Sequence, residues 1–139
     1  MTVQMGRLKK LITKHEGLRL SPYRCTAGKL TIGVGHNLDD KPISERAAAI
    51  ILEDDILDAI EDLNTRVKFF TELNEVRQHA LIDMCFNLGS TRLLKFKKMF
   101  EALETGEYGK AADEARDSAW SRQVGSRDVT ICRMIRNGE

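Results

Sequence analysis

The chain is 139 residues long, enough for one domain or two small lobes, and 42% apolar with 31% charged residues, the balance of ordinary soluble globular protein. A chain of this length buries roughly two-thirds of its unfolded surface, so it needs neither disulfide nor metal to fold. Lys plus Arg is 22 against 21 for Asp plus Glu, so no global field draws it to nucleic acid or an anionic membrane. Cys25, Cys85 and Cys132 cannot all pair with one another, and their spacing matches no zinc pattern. Reduced thiols are expected, in a reducing compartment. The N-terminal stretch has no apolar run longer than Leu11-Ile12, so neither a signal peptide nor a membrane anchor is expected.

The charge is patterned along the chain: +6 over residues 1–36, −7 over 37–75 and +2 over 76–139. Met5, Leu8, Leu11, Ile12 and His15 recur at helical spacing, with Gly17 placed to end the helix. Tyr23 to Gly35 holds strand residues around Thr26-Ala27-Gly28-Lys29, and a small hairpin is expected there. After a polar connection from Leu38 to Pro42, Ser44 is placed to cap a long helix from Glu45 to about Leu63. Ile51, Leu52, Ile56, Ala59, Ile60 and Leu63 make one apolar stripe, with Asp55 on it. Asn74 can cap a further helix through Ala80–Leu88, apolar almost all round and expected to be central and buried. Helices are predicted over Leu93–Leu103, Tyr108–Asp117 and about Arg127–Arg136. The sum is α+β: mostly helical, with a small antiparallel sheet near the N-terminus.

Glu16 stands where the first helix ends and its dipole is negative. A carboxylate is disfavoured there, which suits a group that holds a proton until it donates it. From position alone, an exposed Glu paired with a base such as Arg19 is the more ordinary reading. Cys25 and Thr31 are symmetric about Gly28, so a turn centred there predicts a cross-strand pair on one face. A thiol and a hydroxyl side by side can hold a water, or can simply fill a sheet face.

Taken together, His15-Glu16-Gly17-Leu18-Arg19-Leu20, Tyr23 and Thr31-Ile32-Gly33-Val34-Gly35-His36 closely resemble the active-site region of phage-type lysozymes, the endolysins of glycoside hydrolase family 24. Glu16, Cys25 and Thr31 reproduce that family's spacing of Glu, Asp or Cys, and Thr. The resemblance continues through Ala80-Leu81-Ile82, Phe86-Asn87-Leu88-Gly89, Trp120, Gln123 and Arg127, nearly the whole chain.

The resemblance implies one lysozyme domain. A small lobe of about residues 17–50 is joined by a long helix to a helical lobe of about 64–139, which also takes the N-terminal helix. It implies cleavage of the β-1,4 bond between N-acetylmuramic acid and N-acetylglucosamine in peptidoglycan, without metal or organic cofactor. Glu16 is then the general acid, while Cys25 and Thr31 position water for inversion. Phe86, Asn87 and Asn37 are the implied substrate contacts. His36 paired with Asp55 is implied as support, as is Arg127 as partner of the catalytic Glu.

A monomer is the default expectation, and by the same analogy the enzyme is held in the bacterial cytoplasm until a holin releases it to the wall. Cysteine at position 25 leaves two other readings: an impaired peptidoglycan-binding module, or direct attack by a thiolate. A lytic transglycosylase also uses a lone Glu. The basic cluster Arg92, Lys95, Lys97 and Lys98 alternates with apolar residues, as on a helix with one solvated face.

Overall fold

The computed structural model describes residues 2–139. Among them are eight α-helices, one 3₁₀ turn and a three-stranded antiparallel sheet in the order β1-β2-β3, the expected α+β class. No described helix is long and apolar enough to cross a membrane. The chain divides into two compact units, Met1–Ile50 and Ile51–Glu139.

The first unit contains helix α1 (Met5–Glu16) and strands β1 (Arg19–Arg24), β2 (Leu30–Gly33) and β3 (His36–Asn37). β1 is an edge strand, irregular between Arg19 and Tyr23. Pro22 lies in that interval, and an edge strand tolerates its missing donor. β1 and β2 join through a tight loop in which Cys25 N–H donates to the Lys29 carbonyl at 2.9 Å and Gly28 N–H to the Cys25 carbonyl at 2.8 Å. Gly28 has φ +78°. That is the three-residue hairpin loop, a type I turn followed by a left-handed residue.

This loop corrects the expected register. Tyr23 stands opposite Thr31 and Arg24 opposite Leu30, so the hairpin is centred on Ala27 instead of Gly28. The reason is the left-handed Gly28, which closes the loop one residue sooner. Cys25 and Thr31 are therefore diagonal neighbours and not a directly opposed pair. Such diagonal neighbours lie roughly 7–8 Å apart on one face of the sheet.

A second, shorter connection, Val34-Gly35, brings β3 beside β2 with Ile32 opposite His36. The following loop folds back on the hairpin: the Asp39 carboxylate accepts from Leu30 N–H at 2.8 Å and from Arg24 at 3.4 Å.

The division between units falls inside α2 (Glu45–Arg66), whose start is capped by Ser44 Oγ accepting from Ala47 N–H at 3.1 Å. The second unit holds the apolar core. It is built from the end of α2 (Ala59, Leu63), α3 (Glu75–Leu88), α4 (Ser90–Leu93), α5 (Lys97–Glu104), α6 (Tyr108–Arg116), α7 (Ala119–Val124) and α8 (Ser126–Asn137).

Helix α3 is central as predicted, with Ala80, Leu81, Met84 and Cys85 all buried. Its Asn74 cap accepts from Arg77 N–H at 2.9 Å. Arg77 then reaches the far end of α8, donating to the carbonyls of Ile135 at 2.7 Å and Arg136 at 3.1 Å. Those carbonyls lack helical partners, so one guanidinium satisfies the C-terminus of α8 and pins it to the start of α3.

The single helix expected over Leu93–Leu103 is two, α4 and α5. Between them Lys95 and Phe96 bond back three residues to Arg92 and Leu93, and this tighter turn ends α4. The break lets Leu93 and Met99 both enter the core. The six-residue α7, capped by Ser118, is too short to show a helical period in the sequence.

Candidate active site

Glu16 is the last residue of α1, followed by Gly17 at φ +79°. Its carboxylate lies on the Val34-Gly35 turn. A Cβ placed on Gly35 would stand 2.9 Å from Glu16 Oε2 and 3.1 Å from its carboxyl carbon. Gly35 has φ +68°, so backbone geometry and close approach both call for glycine there. The first unit thus sets the Glu16 side chain against the turn that follows the Thr31 strand.

Thr31 is buried, and its hydroxyl donates to the Lys29 carbonyl at 2.9 Å. Cys25, at the mouth of the hairpin loop, is half-buried with a free thiol. Its pKa is lowered, first by the backbone amide of Lys29, then by that of Ala27. Amides directed at sulfur favour the thiolate. The hairpin turn is thus the source of the shift, and Arg24 is not among its causes. The other two cysteines differ: burial raises Cys85, with Asp62 adding to it, and pushes Cys132 up to about 12, helped by its hydrogen bond to Asp128.

His36 Nε2 lies 3.1 Å from the Lys41 carbonyl. Asn37 is engaged on both sides of its amide by Asp40, through Nδ2 at 2.9 Å and Oδ1 at 3.1 Å. Asp55, on the α2 stripe, is exposed.

In the second unit, the end of α3 presents Phe86, 45% exposed, and Asn87, also exposed. The buried Trp120 donates from Nε1 to Asn87 Oδ1 at 3.0 Å, which fixes the amide and turns its NH₂ group away from the indole. Phe86 lines an apolar hollow of about 470 Å³ with Ile82, Asp83, Arg127 and residues of α2. Arg127 Nε donates to Asp83 Oδ1 at 2.7 Å. Sequence reasoning did not select Asp83 or Gly35. The signal for Asp83 is that it is the one charged residue in the run Ala80–Leu88 of α3.

The structure thus groups Glu16, Cys25, Thr31, His36 and Asn37 in the first unit, and Phe86, Asn87 and Arg127 in the second. An acid on a glycine turn, in the same unit as a thiol of lowered pKa and a hydroxyl, offers the groups that acid-assisted bond cleavage uses.

The family model for phage lysozyme matches residues 13–134. The chain belongs to the phage lysozyme family and is a glycoside hydrolase of muramidase type. It is 28% identical, over 94% of its length, to the pre-baseplate central spike protein Gp5 of Enterobacteria phage T4, and it spans 28% of that larger protein. It is 27% identical to probable T4-type lysozyme 2 of Dictyostelium discoideum, with 96% of each chain covered. It is 35% identical to the endolysin of Acyrthosiphon pisum secondary endosymbiont phage 1, covering 75% of this chain and 71% of that one.

Proposed function

We propose that the protein is an endolysin that hydrolyses the β-1,4 bond between N-acetylmuramic acid and N-acetylglucosamine in bacterial peptidoglycan, with Glu16 as general acid. The observation that carries this reading is the Glu16 carboxylate resting on Gly35, in the same unit as Cys25 and Thr31.

Glu16 gives its proton to the glycosidic oxygen as the bond to the anomeric carbon breaks, and the bonding pair leaves with that oxygen. Water held by Cys25 and Thr31 attacks the anomeric carbon from the opposite face and inverts it. The Thr31 hydroxyl already donates to Lys29, so its lone pairs accept from the water. The water's proton passes to Cys25 in its thiolate form, which the Lys29 and Ala27 amides favour. Glu16 is left as carboxylate and Cys25 as thiol, and both return to their starting states through solvent.

Phe86, Asn87 and Asn37 are proposed sugar contacts, the first two with side chains open to solvent. His36 with Asp55, and Arg127 with Glu16, are proposed supporting pairs. The protein acts as a monomer, reaching the wall from the bacterial cytoplasm through a holin.

The lowered pKa of Cys25 also favours a second reading, in which the thiolate attacks the sugar itself and configuration is retained. Proton NMR of the first anomer released from a soluble peptidoglycan oligosaccharide separates the two. An α product supports water attack with inversion, and a β product assigns Cys25 as nucleophile.

A further inference from the structure

We propose that Asp83 is a positioning residue that orients Arg127 for catalysis; this rests on the reading of Arg127 as partner of Glu16. Asp83 lies on α3 and Arg127 at the second position of α8. The 2.7 Å bond from Nε to Oδ1 is the short ion pair between these helices.

The geometry of the bond is the argument. A guanidinium has five donors in one rigid plane. Holding it at Nε fixes that plane and leaves the Nη1 and Nη2 edge, the fork that matches a carboxylate, for another partner. Among the described residues, no hydrogen bond from either Nη atom of Arg127 is found. Both side chains are more than a third exposed, so the pair contributes little to stability. Its position beside Phe86 in the hollow places it with the proposed substrate contacts. A long arginine at a helix start has many rotamers, and Asp83 selects one. Asp83 thus acts through Arg127, without touching sugar.

The test is a double-mutant cycle on Asp83→Ala and Arg127→Ala, with kcat, KM and melting temperature measured on soluble peptidoglycan oligosaccharides. Each single variant is expected to lose kcat on the order of tenfold, with KM nearly unchanged, because a misplaced group costs rate. The double variant is expected to lose no more than Arg127→Ala alone. Asp83→Asn, which keeps an oxygen acceptor for Nε, is expected to restore most of the rate.

Additive losses in the double variant would overturn the proposal, as would an unchanged kcat in Asp83→Ala. A fall in melting temperature without a change in kcat would reduce Asp83 to a structural contact and also overturn it. Glu16→Gln, run in parallel, separates the two levels. If that variant is inactive while Arg127→Ala is fully active, the general-acid reading stands and the Asp83 proposal falls. If Glu16→Gln is as active as wild type, the general-acid reading itself fails.

Discussion

The carboxylate of Glu16 lies against the Cα of Gly35, so close that a Cβ there would come within 2.9 Å of Oε2. The end of a helix and a strand-to-strand turn are thereby fitted to each other through a missing side chain. Gly35→Ala is expected to displace the carboxylate and to force alanine to φ +68°, costing about 1–2 kcal/mol of stability and lowering kcat on the order of 100-fold. Gly106→Ala is the control. Gly106 has φ +79° with open space where its Cβ would stand, so it should lose stability alone. Equal activity in the two variants would contradict the tight Glu16–Gly35 fit.

Cys25 is expected to react with iodoacetamide well before Cys85 and Cys132. Its thiolate is favoured by the Lys29 and Ala27 amides, whereas burial raises the other two. The sign follows directly: a lowered pKa means the modification rate rises at lower pH than for a free thiol, and levels off sooner. Peptide mapping after brief alkylation measures this. Modified enzyme should be inactive, and retained activity would remove Cys25 from the chemistry.

Arg77 bonds two carbonyls at the end of α8 and stacks over Tyr108, 3.5 Å from the ring centre. Arg77→Ala leaves those carbonyls without partners and is expected to cost about 2 kcal/mol in urea unfolding. The rate of the folded fraction should be unchanged.

Replacing Asp55 by Asn is expected to lower the melting temperature while sparing the catalytic rate of what stays folded. An unchanged melting temperature would remove the proposed pairing with His36.

Much of this was legible in the sequence because it is local. The apolar period of α3, the Asn74 and Ser44 caps and the Gly28 turn each write their geometry into a few adjacent residues. The spacing of Glu16, Cys25 and Thr31 points to the candidate site through resemblance. Their exact pairing did not follow, because the register turns on which loop position the left-handed Gly28 takes, and the adjacent residues do not mark that position.

The Asp83–Arg127 bond was illegible for another reason. It joins residues 44 positions apart on two helices, and such contacts depend on packing that no local period encodes. The split of Leu93–Leu103 was hidden likewise: neither Gly nor Pro marks it, and the burial of Leu93 and Met99 accounts for it.

The most direct test is mass spectrometry of the fragments released from purified peptidoglycan by wild type and by Glu16→Gln. The account predicts fragments ending in reducing N-acetylmuramic acid from wild type and none from a folded Glu16→Gln. Anhydro-muramic ends would instead indicate a transglycosylase. Silence from both folded proteins would indicate a wall-binding module, and either result would contradict hydrolysis by Glu16.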